Sequence, residues 1–326
     1  MKVKNIQEKL ISVIITCYNN ELYIEECIKN VLNNKSSNIE IILINDGSTD
    51  NSLNVINKYA KDIKIITITN KGLSNARNRG LEEAIGKYIL FIDGDDYISS
   101  SSLKNIEEYI SNNEFDLLLL NTTKYYEDKK IFEKEILSFK NDILTTKDLI
   151  DYKICGRVWR FLYKKEIIDN NNLRFHSNVI YEDEEWVPII IYYSKIIKYL
   201  DIDYYYYRKR KNSITTTKSF ENIYNLVSII QTTYNWNKDK EWDNKYIYFS
   251  LSRCIRNLLN STNYLSNEDS VIIINWYNEN KDMIFDILKY NKKLALSLKL
   301  FGPKKGIKTY KKIFKDKNKT KKQIIV

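Results

Sequence analysis

The chain has 326 residues, 43% hydrophobic and 13% aromatic, with eight glycines and two prolines. That is enough for one large α/β domain with an appendage or for two modest domains, and it excludes a disordered or collagen-like protein. The formal charge of +10 sits at one end: Lys304 to Lys322 holds ten lysines and one acid, leaving 42 basic and 41 acidic residues elsewhere. The body therefore lacks the basic surface of a nucleic-acid groove, and no nucleic-acid partner is expected.

In chain order, an apolar run of about seven residues is too short for a signal peptide and predicts a first strand, Ser12 to Thr16. A helix follows over about 21–33, then a strand at Ile39 to Ile44, a helix over about 51–61, a strand at Ile63 to Thr69 and a helix over about 74–85. Tyr88 to Ile92 predicts a fourth strand, Ser101 to Ser111 a helix, and Asp116 to Asn121 a fifth strand. Nearly continuous apolar strands alternating with helices predict a mostly parallel sheet covered on both faces. Spacing over 220–290, free of glycine and proline, predicts a helical appendage. No stretch reaches the roughly 18 apolar residues of a membrane span. Cys17, Cys27, Cys155 and Cys254 show neither a CxxC pair nor zinc spacing, and are expected as reduced thiols in the cytosol.

In open sheets of this kind, ligands bind beyond the carboxyl ends of the strands. The polar clusters at Tyr18-Asn19-Asn20, at Asn45 to Ser48, at Asn70-Lys71 and at Asp93 to Asp96 each follow a strand, so one cleft collects all four. The first loop has no glycine, which removes the dinucleotide fingerprint. Asp46 can accept from a base imide or ribose hydroxyl, or simply cap its turn. Asp93-Gly94-Asp95-Asp96 puts three carboxylates within four residues. That turn is either solvated or neutralised by Mg²⁺ or Mn²⁺, which takes one or two carboxylates and completes its shell with phosphate oxygens and water.

Arg77 and Arg79, early in the third helix, can reach a diphosphate or a base, or lie on the surface. Glu182 to Glu185 is a second acidic cluster, either the start of a helix or the source of a general base. His176, the only histidine, reads as solvated, and Tyr204 to Tyr207 with Arg208 to Arg210 as a strand ending in a basic turn. Lys304 to Lys322, interleaved with Ile307, Tyr310, Ile313 and Phe314, reads as an amphipathic helix on an anionic membrane or as a solubilising tail.

The segments SVIITCYNNELYIEECI, IEIILINDGSTDNS and NKGLSNARNRGLEEAIGKYILFIDGDD, and more loosely GRVWRFLYKKEI, LRFHSNVIYEDEEW and YYYYRKRKNSIT, resemble family-two glycosyltransferases of the A-type (GT-A) fold, bacterial surface-polysaccharide type. The resemblance spans about residues 10 to 215, with Cys17 where many relatives have proline. It implies a nucleotide-diphospho-sugar transferase domain over 1–215, with a nucleotide-sugar half at 10–125 and an acceptor half at 126–215. A helical appendage at 216–302 and a basic tail at 303–326 complete the expected organisation.

By the same resemblance, Thr16, Tyr18, Asn19, Asp46, Lys71, Arg77, Asp93 and Asp95 hold the nucleotide sugar, with Asp46 at the uracil or its ribose. Asp93 is at the ribose and beside the metal, Asp95 on the Mn²⁺ or Mg²⁺, and Asp183 is the catalytic base, with Glu182 as the alternative. The implied protein is an inverting, metal-dependent enzyme acting on a saccharide or lipid-linked saccharide in the cytoplasm or on the inner face of the plasma membrane. The alternatives are a silent nucleotide-sugar-binding module and a sugar nucleotidyltransferase, whose glycine-rich first loop is missing here.

Overall fold

Isoleucine-rich runs that are apolar at nearly every position are stable only between two covering layers, and the first, second and fourth strands form such an interior. In a computed structural model that describes residues 9–210, 219–240, 244–313 and 321–325, β1 (Ile11–Cys17), β2 (Ile39–Asn45), β3 (Lys64–Thr67) and β4 (Tyr88–Asp93) pair in parallel in the order β3-β2-β1-β4. Every residue of β1 is buried. The connections are α1 (Ile24–Asn33), α2 (Ser52–Asn57) and α3 (Leu73–Glu83). On α1 the buried residues Ile24, Cys27, Ile28 and Val31 form the single apolar stripe of a surface helix.

Past β4 the sheet becomes mixed. β5 (Tyr97–Ile98) and α4 (Ser102–Asn112) lead to β6 (Leu117–Tyr126), β7 (Ile131–Ile136), β8 (Ile143–Leu144), α5 (Thr146–Asp151), β9 (Phe161–Lys164), α6 (Lys165–Asn170), α7 (Asp183–Tyr193) and β10 (Ile197–Lys209). β9 inserts antiparallel between β4 and β6, so β6 runs in the same direction as β4 without touching it. β10 pairs parallel with β6, slips register around Asp203, and then pairs antiparallel with β5 at Tyr205 and Tyr206. Such irregularities bend a strand, and this one carries the end of β10 to the loop after β4.

The helical region comprises α8 (Phe220–Lys238), α9 (Lys245–Ser261), α10 (Asn267–Glu279), α11 (Lys281–Ile287) and α12 (Lys292–Ile313). Ser219, Asn244 and Ser266 cap α8, α9 and α10 through their side chains, each satisfying backbone N–H groups that the first turn leaves open. These helices enclose a second apolar cluster, separate from that of the sheet. Tyr246 of α9 belongs instead to the sheet's cluster and donates to the Ile154 carbonyl at 2.9 Å.

Residues 303–313 depart from the expected tail. Gly302, at φ 68°, breaks α12, yet the helix resumes, and Ile307 and Tyr310 are buried in the second cluster. Their apolar side packs on the protein and is not free for a membrane. Phe314 and residues up to 320 lie outside the described residues, and β11 (Lys321–Ile325) pairs antiparallel with β7 at the sheet edge.

Candidate active site

The four strand-end loops meet through backbone contacts that leave little room for side chains. Asp46 N–H donates to the Cys17 carbonyl at 2.8 Å, and Gly94 N–H to the Thr16 carbonyl at 2.9 Å. A Cβ on Gly94 would lie 2.7 Å from that same oxygen, so only glycine lets the acidic turn approach β1 this closely. Thr16 is buried and contributes backbone. Asn19, at φ 50°, donates through its N–H to Ser48 Oγ at 3.0 Å and accepts from Thr49 N–H at 2.8 Å, tying the first loop to the second. Tyr18 and Lys71 are both exposed.

Asp46 is buried, and its two oxygens accept from Lys71 N–H and Gly72 N–H, each at 2.9 Å. The residue expected to receive a base or ribose thus also orders the 70–72 loop. Arg77 departs further from expectation. It is buried, and its guanidinium is shared between Asp93 Oδ1 at 2.8 Å and Glu182. Instead of facing an open cleft, it joins the turn after β4 to the start of α7. Removing one partner of a buried pair of this kind costs about 3–5 kcal/mol, because the other charge is left uncompensated.

The three carboxylates of the acidic turn have separate partners. Asp96 is buried and accepts from Tyr205 OH and from Arg208 N–H, each at 2.7 Å. Tyr205 lies flat on Trp159, ring centroids 4.4 Å apart, and accepts from Asp93 N–H at 3.1 Å. Asp95 binds Arg210 at 2.7 Å, and the same guanidinium reaches Asn20 Oδ1 at 3.4 Å and lies over the Tyr23 ring. Burial, and then the neighbouring Asp93, raise the Asp95 carboxyl above its ordinary range, with Arg210 opposing.

Arg210 therefore occupies the place where a cation is drawn. Among the described residues no three of His, Cys, Asp and Glu converge on one point, so a metal here would rest on Asp95 and Asp93 alone and take its other ligands from phosphate and water. Mg²⁺ and Mn²⁺ accept that donor set.

The base segment lies on the other side of Arg77. Glu182 is committed to that arginine. The Asp183 carboxylate, half-buried at the first position of α7, makes no hydrogen bond or ion pair with a described residue. Burial, followed by Glu182 and Glu184, holds it well above the ordinary aspartate range, against the pull of Arg77. Gly156 permits this approach, since a Cβ there would lie 2.5 Å from the Asp183 carbonyl. Glu184 is gripped by Arg253 of α9 at 2.9 and 3.2 Å. His176 pairs with Glu185, the last residue of the second acidic cluster, at 3.0 Å. Sequence reading did not assign site roles to Arg210, Tyr205 or Arg253; the basic turn after the tyrosines was the one visible signal.

A parallel α/β block whose strand-end loops gather an acidic turn, extended by β9 and β6 toward a second acidic segment, defines the A-type glycosyltransferase fold. Residues 12–171 match the model of glycosyl transferase family 2, and over that segment the chain is similar to that family. It is 36% identical over 217 residues to the uncharacterized glycosyltransferase EpsJ of Bacillus subtilis, covering 63% of each chain; the match thus spans just under two thirds of that relative. Among solved structures it is similar to Staphylococcus aureus TarS residues 1–349 in complex with UDP-GlcNAc. That likeness has a TM-score of 0.74 at 18% identity and covers 93% of this chain and 91% of the other. It is similar also to the mannosyltransferase PcManGT of Pyrobaculum calidifontis in complex with GDP-Man and Mn²⁺, with a TM-score of 0.53 at 12% identity over 94% and 88%.

Proposed function

We propose that the protein is an inverting, metal-dependent glycosyltransferase that moves a sugar from a UDP-sugar to an acceptor hydroxyl, in bacterial surface-polysaccharide synthesis. The observation that carries this reading is the pair of acidic centres joined by Arg77: a turn whose Asp95 already draws a cation, and an Asp183 carboxylate without a partner among the described residues. The nucleotide sugars held in the two similar solved structures named above support the donor class, and the Mn²⁺ in one of them supports the metal.

In this mechanism Asp183 accepts the proton of the acceptor hydroxyl while the oxygen attacks the anomeric carbon. The new C–O bond forms as the bond to the diphosphate breaks, on the opposite face, so the configuration inverts. Asp95, with Asp93, would hold Mn²⁺ or Mg²⁺, which supplies positive charge against the departing diphosphate. A positioned base contributes about 10²- to 10⁴-fold. The ion pair of Glu182 with Arg77 favours Asp183 over Glu182 for that role. Asp46, Lys71 and the Tyr18-Asn19 rim would line the nucleoside end.

The acceptor class is a saccharide or lipid-linked saccharide, and the site of action is the cytoplasm or the inner face of the plasma membrane. No helix among the described residues is long and apolar enough to cross a membrane. Calorimetric titration of UDP in the presence of Mn²⁺ tests the assignment. Asp95→Asn is expected to lose metal-dependent UDP binding with its fold intact, and unchanged affinity in the variant overturns it.

A further inference from the structure

Between Asp286 and Asp316 the chain has ten lysines and no acid. Eight of these lysines lie on α12. The first part of that helix turns Leu294, Ser297 and Leu298 into the second cluster, and this leaves Lys292, Lys293, Leu296, Lys299 and Leu300 on the opposite side. Leu296 is 55% exposed, Leu300 65% and Phe301 48%. Just past the Gly302 break, Lys304, Lys305 and Lys308 are exposed and make no ion pair with a described acid.

We infer that this face of α12, centred on Leu300 and Phe301, is a docking surface for an anionic lipid bilayer. Large aliphatic and aromatic side chains set among exposed lysines suit the headgroup boundary, where the apolar groups enter and the ammonium groups meet lipid phosphates. A second copy of the chain is a poor occupant, because two faces of this charge repel each other. A nucleic acid would use the lysines and leave Leu296, Leu300 and Phe301 in water. The surface differs from the one expected from sequence: Ile307 and Tyr310 hold the helix on the protein, and the exposed apolar residues lie upstream of the break. The inference is independent of the transfer reaction.

Flotation of the full chain with phosphatidylcholine vesicles, with and without phosphatidylglycerol, tests it. Binding is expected only with the anionic lipid and is expected to fade with salt. Leu300→Ser/Phe301→Ser and Lys304→Gln/Lys305→Gln/Lys308→Gln should each weaken it by about tenfold or more. Both variants change exposed side chains, so circular dichroism and UDP affinity should match the parent. Three results would overturn the inference: no binding of the parent to anionic vesicles, equal binding by the Leu300/Phe301 variant, or a parent dimer that the Leu300/Phe301 variant dissociates.

Discussion

Asp183 has no partner among the described residues and is held above the ordinary aspartate range by burial and by its acidic neighbours. A base must be ionised to accept a proton, so the transfer rate should rise with pH through a limb displaced upward from that range. Asp183→Asn should abolish the limb, slow transfer by at least about 10²-fold and leave UDP affinity unchanged; near-normal transfer would move the role elsewhere. Arg210 supports a second expectation. Its guanidinium sits on Asp95, so a divalent ion must displace it. Arg210→Gln should therefore bind Mn²⁺ more tightly than the parent in the absence of nucleotide, by roughly the several-fold worth of one charge-assisted contact. Electron paramagnetic resonance of free Mn²⁺ measures this, and equal affinities would show that the pair does not guard the site.

At the scale of elements, the site depends on close backbone approaches. Gly94→Ala should push the acidic turn away from the Thr16 carbonyl, since backbone cannot yield as a flexible side chain does. The expected result is weaker UDP binding in the presence of Mn²⁺, with the melting temperature lowered only modestly; unchanged titrations would mean that the turn relaxes freely. The β1 to β4 block and its four polar loops were legible because local periodicity encodes them. The antiparallel insertion of β9 and the return of β10 were not, because their partners lie tens of residues or more away and no local pattern records such pairings. The ion pairs of Arg77 were not legible for a related reason. A helix arginine looks solvent-facing until the fold brings Glu182, 105 residues later, against it.

Across the whole molecule, the helical region grips the neighbour of the candidate base, Glu184, through the Arg253 ion pair and the Ser250 hydroxyl. Arg253→Met removes the charge and keeps much of the stem. It should lower kcat while leaving UDP affinity within about twofold, as expected of a residue that positions a neighbour of the base and touches no donor loop. An equal loss in UDP binding would instead mean that the helices support the entire cleft. The sequence already separated an acidic-turn half from a helical appendage. It did not reveal that α9 is shared between them, because Tyr246 and Arg253 lie on an ordinary amphipathic helix whose outer neighbours are unknown until folding.

The flat stack of Trp159 on Tyr205 also has an optical consequence. The phenol beneath that indole is bonded to Asp96 and to the Asp93 amide, so any rearrangement of the acidic turn alters the ring's surroundings and hence its ultraviolet emission. The difference in fluorescence between the parent and Trp159→Phe thus isolates one reporter among five tryptophans. It gives a titratable signal for occupancy of the cleft that requires neither an identified sugar nor a labelled donor.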